Sequence, residues 1–139
     1  MRFRAACVLL PVALAIASAH AKDAALYKVE DCSKFIAQMD LNSCTGDNLE
    51  SADAALNAVY KQVMVWRDKA GQESLKHSER AWIAQRDKTC ADEVGPQEDG
   101  GSIWPMESNT CLREQTDKRI RELQKMMTCK AGVSVCNPH

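Results

Sequence analysis

Residues 79–90 read Glu-Arg-Ala-Trp-Ile-Ala-Gln-Arg-Asp-Lys-Thr-Cys, and no other stretch constrains the fold as tightly. At about 100° per residue, Leu75, Glu79, Trp82, Ile83, Arg86 and Cys90 fall on one helical face. That face joins apolar bulk to a guanidinium that cannot shed its charge and to a cysteine. An inward arginine needs a carboxylate and further acceptors, and a helix-borne cysteine needs a second cysteine. The stretch therefore predicts partners from other segments, and finding them sets most of the fold.

The sulfur partners are available. The chain starts with Arg2 and Arg4, continues with an apolar run over residues 5–17, and reaches Ala19-His20-Ala21, a small-x-small cleavage pattern. This reads as a removable export signal over residues 1–21, too short to span a bilayer. One domain over residues 22–139 is expected to remain, exported to the periplasm or secreted. Beyond the leader lie Cys32, Cys44, Cys90, Cys111, Cys129 and Cys136. An even set in an exported chain reads as a disulfide framework, and sequence does not choose among its pairings. The sequential pairing 32–44, 90–111 and 129–136, with three short loops, is the expectation. There is no CxxC pair and histidine is scarce, so neither a metal nor a cofactor is expected. Without Arg2 and Arg4 the chain carries 16 basic and 19 acidic residues, a charge of −3. That balance argues against nucleic acid and is compatible with a basic protein partner. No later stretch is apolar enough for a transmembrane segment.

Helical periodicity dominates the rest, with no strand-like alternation. Residues 32–44 predict a short helical turn closed by its own disulfide, after a loose lead-in over residues 22–31. Asp47, with Glu50 three residues on, resembles a capping box and predicts a first long helix over residues 47–69, although Gly46 could also lie inside a longer one. Its stripe is Leu49, Asp53, Leu56, Tyr60, Val63 and Arg67, and Gly71 is expected to end it. A second helix over residues 72–93 should pack antiparallel to the first and stop at Gly95-Pro96. Residues 95–109, with their glycines and prolines, predict a long loop with an apolar tip at Ile103-Trp104-Pro105-Met106. A third helix over residues 109–127, capped by Ser108 or Asn109, carries Leu112, Thr116, Arg119, Leu123 and Met126 or Met127 inward. The expected fold class is all-α, a small disulfide-stapled bundle of three to four helices with one long loop between the last two main helices.

Asp53, Arg86 and Arg119 each lie on the inward stripe of a different helix, and the simplest account is that they meet, with Asn57 or Glu79 completing the acceptors. A structural lock that sets helix register is one reading, and an anion-binding pocket is the other. Trp82 reads as core. Trp104 is either tucked onto the core or presented to a partner. His77 and His139 sit in no nucleophile–base pattern, and Gly100-Gly101-Ser102 is too short for a phosphate cradle, so no catalytic residues are assigned.

Several motifs together resemble the LprI-type lysozyme inhibitor family. They are Cys32; Asn42-Ser43-Cys44; Ala52-Asp53-Ala54-Ala55-Leu56-Asn57-Ala58-Val59-Tyr60; Trp82-Ile83-Ala84-Gln85-Arg86-Asp87-Lys88-Thr89-Cys90; Gly100-Gly101-Ser102; and the run from Cys111 through Thr116 and Arg119 to Leu123. The resemblance covers most of the chain beyond the leader and implies an all-α, disulfide-bonded exported domain and, as protein partner, a lysozyme. With no catalytic residues assigned, the expectation is a protein that is not an enzyme, with the candidate contact surface in the 95–109 loop on Glu98, Asp99, Gly100, Gly101, Ser102, Ile103 and Trp104. The alternative is a periplasmic binding or envelope-stress module for another protein or a small anion.

Overall fold

The structure is a computed structural model that describes residues 27–128. The expected leader, the start of the lead-in and the Cys129–Cys136 pair lie outside the described residues. A 3-10 turn, Cys32–Lys34, precedes α1 (Gln38–Val65); α2 (Lys69–Val94), α3 (Gln97–Gly100), a second 3-10 turn (Gly101–Ile103) and α4 (Trp104–Thr128) follow. The described residues are all-helical, as expected.

α1 starts nine residues before the capping box, and Gly46 lies within it. Cys44, Thr45 and Asn48 already belong to the inward face, and the Thr45 hydroxyl donates back to the Leu41 carbonyl at 2.9 Å. These contacts hold the backbone helical through the glycine, whose intrinsic penalty is about 1 kcal/mol. The buried face is Cys44, Thr45, Asn48, Ala52, Leu56, Val59 and Val63. Its centre lies roughly 60° around the helix from the expected stripe. Asp53 is therefore at the margin of the face rather than at its middle.

The break between α1 and α2 is set by Asp68, not Gly71. The Asp68 carboxylate accepts the Gly71 amide at 2.8 Å and caps α2 from outside its first turn. Gly71 is thus the third residue of a helix rather than the terminator of one. α2 does end at Gly95, which takes φ 79° and donates its amide to the Ala91 carbonyl at 3.0 Å. Residues 95–109, expected as a loop, are mostly helical. Pro96 precedes α3 and Pro105 lies in the first turn of α4, two places where a missing amide hydrogen costs little. Gly101, at φ 55°, separates the two pieces. Here glycine and proline mark helix boundaries, and Ser108 and Asn109 lie inside α4 rather than capping it.

α4 is the central element. It packs most extensively on α1 and next on α2, while α1 and α2, expected as close neighbours, touch little. The inward face of α2 explains this, because its buried residues are Leu75 and Cys90 alone. The apolar core joins Leu56, Val59, Val63, Leu75, Ile120 and Leu123, all in the half of the bundle nearest the α1–α2 turn. The other half buries Cys44, Cys90 and Cys111. There two disulfides, Cys32–Cys44 and Cys90–Cys111, join the N-terminal strap to α1 and α2 to α4. Each closes a short loop and contributes about 3 kcal/mol by restricting the unfolded chain. Staples thus take over where apolar packing thins, as expected of a small domain.

The strap itself is not a loose lead-in. The Tyr27 hydroxyl donates to Asp117 on α4. The Glu30 amide donates to Asn48 Oδ1 at 2.8 Å, and Asn48 Nδ2 donates back to the Glu30 carbonyl at 2.9 Å. Asn48 is buried, so this two-way clamp satisfies a side chain that would otherwise be costly to bury.

Candidate functional site

The three inward charges form two linked clusters. In the first, Arg86 Nη1 on α2 donates to Asp53 Oδ1 on α1 at 3.2 Å and to Thr116 Oγ1 on α4 at 3.3 Å, and the Thr116 hydroxyl donates on to Asp53 at 3.4 Å. Arg86 Nε turns to its neighbour Asp87 at 2.9 Å. In the second cluster, Arg119 Nε and Nη2 on α4 donate to Glu79 Oε2 on α2 at 3.0 and 2.9 Å, Nη1 donates to Glu122, and Nη2 also reaches the Ser78 hydroxyl. Both guanidinium carbons lie within 6 Å of the Trp82 ring centroid, at 5.2 Å for Arg86 and 5.8 Å for Arg119. Trp82 thereby bridges the clusters through cation–π contacts. Asp53 does not serve both arginines; Glu79 takes Arg119. Asn57 stands apart, exposed, because it lies a further 40° or so beyond Asp53 from the buried face.

This network ties α1, α2 and α4 together where the apolar core ends. Among the described residues no buried side-chain nitrogen or oxygen lacks a partner. Every nitrogen of the Arg119 guanidinium is engaged by protein. Thr116, Asn48 and Tyr27 belong to the polar framework but were not singled out as such by sequence reasoning. Thr116 is the one with a visible signal, as a polar residue on the inward stripe of α4.

The end of the bundle opposite the α1–α2 turn is acidic. Glu98 and Asp99 are exposed in the first turn of α3 and make no ion pair among the described residues. Gly101, Ser102 and Ile103 are exposed, and Gly100 and Trp104 are half-buried. Trp104 is tucked in: its indole Nε1 donates to the Gly95 carbonyl at 2.9 Å. Gly100 makes this possible, because a Cβ there would stand 2.7 Å from the Trp104 Cβ. The Ser102 carbonyl accepts from Asn42 Nδ2 on α1 at 2.9 Å, which fixes the segment to the bundle.

Beside this segment runs a groove of about 610 Å³. Leu41, Val94 and Met106 supply apolar lining, and Glu93, Glu107 and Glu114 contribute carboxylates. Ile36, just before α1, and Met39, in its first turn, lie exposed at the same end. Apolar surface ringed by carboxylates is suited to a basic protein segment. No group of histidine, cysteine and acidic side chains able to hold a metal occurs among the described residues. No helix among them is long and apolar enough to cross a membrane.

The family described as "Lysozyme inhibitor LprI" matches residues 30–123. The protein named "Uncharacterized protein R02472" from Rhizobium meliloti (strain 1021) is 42% identical over 110 residues, covering 70% of this chain and 78% of that protein. No solved structure matches. The family match spans both observed disulfides, the Asp53–Arg86 pair and Arg119, and the chain belongs to the LprI lysozyme inhibitor family.

Proposed function

We propose that the protein is an exported, non-catalytic inhibitor that binds a lysozyme through its acidic end. Membership of the LprI family carries this reading. The export signal read from residues 1–21 and the two disulfides are compatible with an oxidising compartment, the periplasm or the exterior. Within the single domain expected over residues 22–139, the described bundle acts as a rigid mount. It presents Glu98, Asp99, Ser102 and Ile103, with Glu107 and the adjoining groove, to a basic partner. Unpaired carboxylates speed encounter with such a partner, and the half-exposed Ile103 supplies apolar contact. Trp104 supports the segment from beneath.

The test is cell-wall hydrolysis by lysozymes of different classes, with and without the purified protein. Inhibition that weakens at high salt, and weakens further in a Glu98→Gln/Asp99→Asn/Glu107→Gln variant, is the expected result. No inhibition of any lysozyme at micromolar excess overturns the reading. Inhibition that ignores both salt and the triple substitution removes the acidic end as the contact face.

A further inference from the structure

The α1–α2 turn lies at the other end of the bundle and has the opposite character. Val65 and Trp66 are adjacent there and exposed at 82% and 79%. They close α1 and project beyond the apolar core, which ends at Val63 and Leu75. Lys61, Arg67 and Lys69 surround them and make no ion pair among the described residues. Asp68 lies among them, but its carboxylate is occupied by capping α2. Beside the turn is a cavity of about 300 Å³, with Arg67 and Ser74 as polar lining and Leu75 and Met126 as apolar wall.

We infer that this turn is a docking tip for the surface of an anionic phospholipid bilayer. A tryptophan with an apolar neighbour on a convex turn has no groove to fill and suits a soft interface, where an indole keeps its ring in the acyl boundary and its N–H near water. The surrounding lysines and arginine match anionic headgroups in charge. The adjacent cavity pairs a guanidinium and a hydroxyl, which suit a headgroup phosphate, with an apolar wall for the start of an acyl chain. The net negative charge does not oppose this mode. α1 alone is about 40 Å long, so the acidic end lies several screening lengths from a surface touched by the tip. Bound this way, the bundle stands with its acidic end turned away from the lipid.

The experiment is co-sedimentation of the purified protein, residues 22–139, with phosphatidylcholine vesicles, with and without phosphatidylglycerol. Sedimentation with the phosphatidylglycerol vesicles alone, reversed by salt, is expected. A Val65→Ser/Trp66→Ser variant should need about tenfold more lipid or more, and an Arg67→Gln/Lys69→Gln variant about tenfold more. Val65, Trp66 and Lys69 are exposed, and Arg67 is half-buried but makes no ion pair among the described residues, so the thermal midpoints of both variants should stay near that of the parent, which separates lost docking from lost folding. Brominated lipid should quench a fraction of the fluorescence that disappears with Trp66→Phe. The inference is overturned by absent sedimentation, by equal binding of the Val65/Trp66 variant, or by a dimer in gel filtration that dissolves on Trp66→Ser and so identifies a second copy as the occupant.

Discussion

Arg119 on α4 places its Nε and Nη2 at 3.0 and 2.9 Å from the same carboxylate oxygen of Glu79 on α2, with the side chains exposed at 7% and 13%. This pair is buried more deeply than Asp53–Arg86. The difference follows from helix order. α4 lies against both other long helices, so its central arginine is enclosed from both sides, whereas the Asp53 side chain is 43% exposed.

The two pairs should respond differently to deletion. Removing Glu79 strands a buried guanidinium that Glu122 and Ser78 compensate in part. Glu79→Ala should cost about 3 kcal/mol of unfolding free energy, near the low end for a broken buried pair. Asp53→Ala should cost only about 1 kcal/mol, because solvent already screens that carboxylate. Urea unfolding of both variants checks the order, and a larger loss for Asp53→Ala would contradict this assignment of burial.

Asn48 holds the N-terminal strap by two backbone bonds. Asn48→Ala leaves the Glu30 amide and carbonyl without these partners and should cost about 2 kcal/mol. Hydrogen exchange should quicken first at residues 28–35, ahead of the amides of α4.

Tyr27 makes stability sensitive to alkali. Burial, reinforced by its hydrogen bond to Asp117, pushes its hydroxyl from 10.0 up to about 12. The folded chain holds this proton more tightly than the unfolded chain does. The contribution is therefore complete below pH 10 and is lost as pH rises towards 12. The unfolding midpoint should fall over that window, and it should fall less steeply in Tyr27→Phe. Phenolate absorbance should show one tyrosine titrating late.

Gly100 is held by space rather than by backbone angle. Adding a methyl group places it 2.7 Å from both Cβ and Cδ1 of Trp104, so the indole must move and release the Gly95 carbonyl. Gly100→Ala should cost about 1–3 kcal/mol. Acrylamide should then reach more of the tryptophan fluorescence than in the parent.

The helical class and the inward placement of Arg86 and Arg119 were legible in the chain itself, because local periodicity displays them. The supply of cysteines was legible too, but the 32–44 and 90–111 pairings, which agree with the sequential expectation, were selected only by the packed helices. The start of α1 and the break before α2 were not legible. Gly46 and Gly71 look like terminators, yet side-chain partners decide both, with Thr45 and Asn48 packed inward at one and Asp68 capping at the other. The helical folding of residues 95–109 was hidden for a related reason, since Pro96 and Pro105 fit helix starts as well as loops.

Sequence by itself determined that the two arginines must be buried with acidic partners and that sulfur must close the bundle, because neither group tolerates isolation inside a fold. Tertiary structure alone decided which carboxylate each arginine meets. With α4 between α1 and α2, Arg86 reaches across to Asp53 and Arg119 turns to Glu79. That choice depends on how three helix faces pack, and periodicity along one chain carries no information about it.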